Sequence, residues 1–117
     1  SLKARQLAIG LHGGKHIHPD QSVPFFMAMR DALKKGTLGF GGDNINIHAP
    51  YLHRDKTFVA KQSFALGVPF DATWSCYNDY AYQCGRCATC IQRKLAFHEA
   101  GIIDETHYQF ATPASVS

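Results

Sequence analysis

Residues 73–101 read TWSCYNDYAYQCGRCATCIQRKLAFHEAG and hold all four cysteines of the chain, Cys76, Cys84, Cys87 and Cys90, in the pattern C-x7-C-x2-C-x2-C. Four thiolates at such spacing can surround one tetrahedral Zn2+ at bonds of about 2.3 Å, and the short intervals keep the loop-closure entropy small. Gly85 falls between the second and third cysteines, where a tight knuckle can require the positive φ that glycine adopts freely. Arg86, Arg93 and Lys94 stand close by and would offset the net negative charge of a four-thiolate centre. Such a closed shell leaves no open position for a substrate. The metal is therefore expected to staple the chain and to do no chemistry.

Three other readings of the cysteines stay in view. Disulfides are disfavoured because cysteines two residues apart seldom reach disulfide geometry, and the chain shows no secretory segment. An iron–sulfur cluster is the closer rival, since C-x2-C-x2-C also opens ferredoxin-type sites. The cysteine-proline that continues that run is missing, because Cys90 leads into Ile91-Gln92-Arg93. Unconnected core cysteines would not cluster in this way.

A chain of 117 residues suits one small domain with one core. Hydrophobic residues at 45% against charged ones at 18% place it with globular rather than disordered proteins. Its apolar runs fall short of the roughly 18 residues that a membrane helix needs, so a membrane partner is not expected. Zinc-spaced thiols without a leader point to a reducing cytoplasm. The formal net charge is +3 without a run of like charge, which gives nucleic-acid binding little support.

Outward from the cysteines, periodicity predicts an α/β arrangement. Leu7–Leu11 (LAIGL) is a continuous apolar run and predicts a strand buried on both faces, as in a parallel sheet. A helix over about Ser22–Lys35 follows, capped by Ser22 or Asp20, with Pro24 tolerated in its first turn. Phe25, Met29 and Leu33, with Phe26 beside them, give it an apolar face, and Gly36 is expected to end it as a left-handed cap. The glycine-rich stretch 37–43 reads as a turn, since it lacks the Lys-Ser/Thr of a phosphate cradle. Ile45–Ala49 alternates as a second strand stopped by Pro50. A helix over about Asp55–Leu66 sets Phe58, Val59, Ala65 and Leu66 to one side and closes at Gly67. The last helix, Ala88–Ala100, carries Ile91, Leu95 and His98 on one stripe and stops at Gly101.

This order divides the chain into a partial parallel α/β sheet over 1–72, a zinc loop with its helix over 73–108, and a tail over 109–117. Two strands are a fragment of a sheet, since sheets usually have four or more. The sequence is therefore expected to be the C-terminal part of a larger protein. A homodimer that supplies the missing sheet edge is the alternative.

Thr73-Trp74-Ser75-Cys76-Tyr77, Cys84-Gly85-Arg86-Cys87-x-x-Cys90, Arg93, Ala96-Phe97 and Gly101 resemble the zinc-binding C-terminal signature of the 7-cyano-7-deazaguanine synthases, queuosine-biosynthesis enzymes of the PP-loop ATPase superfamily. The likeness continues through Ala49-Pro50, Lys56 and Leu66-Gly67-Val68-Pro69, and more faintly at Gly10, His12, Pro19 and Asp20. It implies the C-terminal part of a parallel-sheet PP-loop (adenine nucleotide alpha hydrolase-like) fold. It also implies an ATP-dependent ligase that turns 7-carboxy-7-deazaguanine and ammonia into the nitrile, with ATP, Mg2+ and structural Zn2+ as cofactors. The superfamily's SGGxDS-type pyrophosphate loop is absent. Gly13-Gly14 has neither the flanking serine nor the aspartate, so the resemblance makes an N-terminal PP-loop portion the necessary partner.

Candidate substrate and phosphate residues follow from the same likeness. Lys56 matches a family lysine at a helix start, where amides and dipole favour anions, although an ordinary solvated lysine explains it too. Trp74 and Tyr77 offer aromatic faces for a flat base, or wedge the zinc loop against its neighbours. His12 and Asp20 lie in the loop that the family places near substrate. There Pro19-Asp20 is followed by Gln21-Ser22 where family members have Cys-Arg, which leaves open a paralogue that ligates another acid. His12, His16 and His18 form no ligand spacing with a carboxylate and read as solvent-facing or hydrogen-bonded. A self-standing zinc module that binds protein or nucleic acid is the contrasting reading.

Overall fold

A computed structural model describes residues 4–15, 17–38 and 45–111. The glycine-rich stretch is outside them from residue 39 to 44, as are His16 and the last six residues. Contacts between Cα atoms group the chain into two units, Ser1–Asp55 and Lys56–Ser117.

In the first unit, β1 (Gln6–Ala8) and β2 (Asn46–His48) pair in parallel, with Leu7 opposite Ile47, and α1 (Val23–Gly36) lies between them in sequence. The pairing resumes further on as a single bridge from His12 to Tyr51. Ile47 is buried and packs with Phe26 and Leu52, and Ile9, Leu11, Met29, Ile45 and Ala49 surround them. Two expectations change here. The strand covers Gln6–Ala8 rather than Leu7–Leu11, and all three of its residues are exposed, Leu7 by 53%. Among the described residues it has one neighbouring strand, so it stands at a sheet edge and not in the centre.

The helix α1 begins as its sequence dictates. Ser22 is the N-cap, its Oγ accepts from the Phe25 amide at 3.3 Å, and Pro24 occupies the first turn, where a missing N–H costs nothing. Its buried residue is Phe26, whereas Phe25 and Leu33 are each 42% exposed. Gly36 is not left-handed either. It belongs to the helix, which ends at Thr37, whose amide and hydroxyl both donate to the Leu33 carbonyl, the hydroxyl at 2.6 Å. A side chain satisfies the orphan carbonyl here, so no glycine turn is needed.

The second unit is built on α2 (Lys56–Ala65) against α3 (Ala88–Ala100). Ala60, Ala96 and Phe97 form its apolar centre, and Phe70 sets its ring edge-on to Phe97 at 4.7 Å. Small residues at 60 and 96 let the two helices approach, and Thr57 donates to Glu99 at 2.7 Å across them. This packing joins α2 to the cysteine-bearing half of the chain. Both helices end as predicted. Gly67 (φ 72°) and Gly101 (φ 70°) are left-handed, and the next amides, Val68 and Ile102, reach back to the Ser63 and Phe97 carbonyls. These are Schellman closures.

The buried faces differ from the expected ones. In α2 the buried residue is Ala60, while Phe58 is 36% and Leu66 72% exposed. In α3 the buried set is Cys90, Arg93, Ala96 and Phe97, and the expected stripe leaves Leu95 49% exposed and His98 at the surface. Cys90 must point inward to join the other sulfurs. Positions three, six and seven residues further on then share its face.

Candidate metal centre

The four sulfurs come together as the spacing requires. The Sγ atoms of Cys76, Cys84, Cys87 and Cys90 all lie within 4.8 Å of one another. Cys84 to Cys90 and Cys76 to Cys87 are each 4.0 Å, close to the edge of about 3.8 Å that bonds of about 2.3 Å give a tetrahedron. At that separation the thiols are free, well beyond the roughly 2.05 Å of a disulfide. Cys90 is wholly buried, Cys84 and Cys76 are 2% and 7% exposed, and Cys87 is half-buried.

The backbone around them is arranged for negative sulfur. The Asn78 and Cys84 amides donate to Cys76 Sγ, each at 3.3 Å. Cys84 Sγ accepts from the Arg86 amide at 3.4 Å, and from the Cys87 amide and Asn78 Nδ2 at 3.3 Å. The turn that aims these amides passes through Gly85 at φ 79°, as the sequence predicts. Space forbids a side chain there as well, because a Cβ would lie 2.6 Å from the Phe110 carbonyl oxygen.

Proton affinity divides three of the thiols. The Arg86 amide is the chief cause that holds Cys84 below the usual thiol range. Burial pushes Cys87 up, but the Thr89 hydroxyl at 3.1 Å and the Cys90 amide outweigh it and bring this thiol down to about 6. Burial pushes Cys90 up to about 12, and its neighbouring thiols add to the rise. Cys90 is a sealed thiol beside two sulfurs whose surroundings favour the anion, and a dication held by these residues would favour loss of its proton. The residues thus fit a tetrahedral soft-metal site of the zinc kind.

The neighbouring cations divide their tasks. Arg93 is 7% exposed; its Nη2 donates to the Phe70 carbonyl at 2.8 Å and to Thr106 Oγ1 at 3.0 Å, and its guanidinium stacks 5.0 Å from the Phe97 ring. Lys94 Nζ donates to the Gly85 carbonyl at 3.2 Å. Arg86 sets its guanidinium over the Phe110 ring at 4.3 Å.

Of the other candidates, Lys56 opens α2 and is half-buried. Burial first and the Arg93 charge second lower its ammonium pKa, while Cys90 and Cys87 work the other way. Trp74 donates its indole N–H to the Cys76 carbonyl at 2.8 Å and is 55% exposed. Tyr77 is 86% exposed. In the first unit, His12 is half-buried with Nδ1 3.0 Å from the Gly13 oxygen, and Asp20 sits exposed in a 3-10 turn over Pro19–Gln21. Gln21 and Ser22 both serve local structure, since Gln21 Oε1 accepts from the His18 amide and Ser22 caps α1.

Sequence reasoning missed Gln83, Asn78 and Thr89. Gln83 is 3% exposed, takes the Ser75 amide and hydroxyl at 3.0 and 2.9 Å, and donates to the Thr73 carbonyl at 3.1 Å. It pins the approach to Cys76. Its position directly before Cys84 was the available signal.

A family model described as queuosine biosynthesis protein QueC matches residues 1–101. The chain belongs to the QueC family. Proteins named 7-cyano-7-deazaguanine synthase from Brucella ovis and Brucella anthropi are each 40% identical to it over 110 residues, 93% of this chain and 47% of theirs. The chain thus spans about half the length of these curated QueC relatives. No solved structure matches it. No helix among the described residues is long and apolar enough to cross a membrane.

Proposed function

We propose that this chain is the C-terminal part of an ATP-dependent ligase that converts 7-carboxy-7-deazaguanine and ammonia into 7-cyano-7-deazaguanine. The observation that carries the reading is the 40% identity, over nearly the whole chain, to proteins that bear that name. A carboxylate is a poor electrophile until one oxygen becomes a leaving group. Adenylylation achieves this, with release of pyrophosphate; ammonia then displaces AMP to give the amide. Adenylylation of the amide oxygen by a second ATP, followed by loss of AMP, leaves the nitrile.

In this reading an N-terminal portion grips the pyrophosphate, with Mg2+ accompanying ATP, and this chain supplies one flank of the site. The exposure of β1, with one neighbouring strand among the described residues, supports an arrangement in which further strands complete the sheet. Lys56, at the amide-rich start of α2, is assigned to a phosphate. Trp74 and Tyr77 present accessible rings for the deazapurine, and His12 and Asp20 belong to the substrate-side loop. The four cysteines hold zinc as a closed structural site that shapes the loop carrying those rings. The proposed compartment is the cytoplasm, and a homodimer that supplies the missing sheet edge is the alternative to the N-terminal portion.

A specific observation favours a second reading of the substrate. Gln21 and Ser22 replace the Cys-Arg pair of the resemblance and are occupied in capping, which fits a paralogue that ligates a different acid. One experiment separates these readings. The full-length protein is incubated with ATP, Mg2+, ammonium and 7-carboxy-7-deazaguanine, and products are followed by mass spectrometry. Nitrile with two AMP per turnover is expected. ATP–pyrophosphate exchange with other acids but not this one selects the paralogue, and no exchange with any acid overturns the ligase reading.

A further inference from the structure

The segment after α3 turns back over the cysteine knuckle. The Gln109 amide donates to the Gln83 carbonyl at 2.8 Å and the Phe110 amide to the Cys84 carbonyl at 3.2 Å, beside a parallel bridge between Gln83 and Tyr108. Tyr108 and Phe110 pack against the same buried cluster as the cysteines. Cations from the knuckle and from α3 clamp both rings. Lys94 Nζ stands 4.1 Å over Tyr108, Arg86 stands 4.3 Å over Phe110, and Tyr80 meets Phe110 edge-on at 5.4 Å.

The segment is also tied where it begins. Asp104 accepts from the Thr106 amide at 3.1 Å and from the Tyr108 hydroxyl at 2.6 Å, and Thr106 Oγ1 accepts from buried Arg93. Its contacts fall on the residues that aim amides at sulfur. Cys84 and Gly85 lie directly beneath Phe110, and Lys94 binds Gly85 and Tyr108 together. Residue 101 is the last that the family model matches, so this segment lies beyond it.

We propose that residues Ile102–Phe110 are a positioning strap that holds the thiolate knuckle closed, so that metal retention depends on strap docking and strap docking on the metal. This rests on the reading of the four sulfurs as a zinc site. Physically, the strap fixes the backbone angles that set the N–H···S geometry. It also covers a flank through which water or a chelator would reach the sulfurs. Because binding linkage is reciprocal, metal removal must loosen the strap by the factor with which strap loss weakens the metal.

The test uses the full chain and two readouts independent of enzyme activity. Metal analysis comes first: one zinc per chain is expected, and a metal-free, folded protein overturns the zinc reading and the strap with it. Zinc release to a chromogenic chelator is then timed. The pair Tyr108→Ala and Phe110→Ala is expected to speed release by about fivefold or more, the lower range of typical coupling factors. Tyr108→Phe, which keeps the ring under Lys94 but loses the Asp104 bond, is expected to fall between. Leu38→Ala, at a site 65% exposed and outside the strap, serves as a control and should leave the rate unchanged. If the double variant does not fold, hydrogen exchange of the Gln109 and Phe110 amides in the wild type, with and without chelation, decides the matter. A release rate unchanged in a folded, zinc-loaded double variant overturns the strap alone, as does exchange indifferent to metal.

Discussion

Cys90 shows how one side chain can set the face of a whole helix. It is wholly buried, its thiol is pushed up to about 12, and it stands 4.0 Å from Cys84 Sγ. A hydroxyl there cannot supply the soft anionic ligand that the metal takes, and it would be left buried. Cys90→Ser is expected to abolish stoichiometric zinc binding, as metal analysis would show, and to cost about 3 kcal/mol or more of unfolding free energy in urea, given the large share of folding energy that a structural metal supplies. Arg93 illustrates the same dependence from the other side. From sequence it is a countercharge to the thiolates, whereas in the fold it is a buried connector between Phe70, Phe97 and Thr106. Nothing in its neighbours' residue types announces that.

At the scale of elements, two glycines with nearly the same backbone angle separate conformation from space. Gly67 has φ 72° with nothing within 4 Å of an added Cβ, and Gly85 has φ 79° with the Phe110 carbonyl at 2.6 Å. Gly67→Ala is therefore expected to cost only the left-handed penalty, about 1–2 kcal/mol. Gly85→Ala adds displacement of the strap and should cost about twice that or more, the excess matching the usual cost of overpacking. Urea unfolding of the two variants side by side measures the difference.

The elements also show what sequence could convey. The bounds of α3 were readable because its signals are local, a helix opening after Cys87 and a glycine at 101. Its buried face was not readable from apolar periodicity, because the thiolate cluster overrides the Ile91–Leu95 stripe and turns Cys90 and Arg93 inward. The end of α1 was missed for a similar reason, since Thr37 does with its hydroxyl what Gly36 was expected to do with its backbone.

Over the whole molecule, the two units rest on different supports. The first is centred on Phe26, Ile47 and Leu52, none of which belongs to the knuckle. In the second, the apolar centre of Ala60, Ala96 and Phe97 is small, and the sulfur cluster carries the rest. Chelation of zinc is therefore expected to open the segment from Thr73 to Phe110 to protease well before α1, with the cleavage sites read by mass spectrometry. The parallel pair and the cysteine site were legible because one follows from strand–helix–strand order and the other from spacing. The strap was not. It is irregular chain without a period, and its partners Gln83, Cys84 and Gly85 lie some twenty-five residues back. The first strand misled for a further reason: a run of apolar residues says that cover is wanted, not that these residues supply it.

The uneven sealing of the four sulfurs has a chemical corollary. Cys90, Cys84 and Cys76 are shut away, while Cys87 is only partly covered and its thiol is brought down to about 6. Peroxide or an alkylating reagent is therefore expected to reach the third cysteine of the four before the others, with the modified residue read by mass spectrometry.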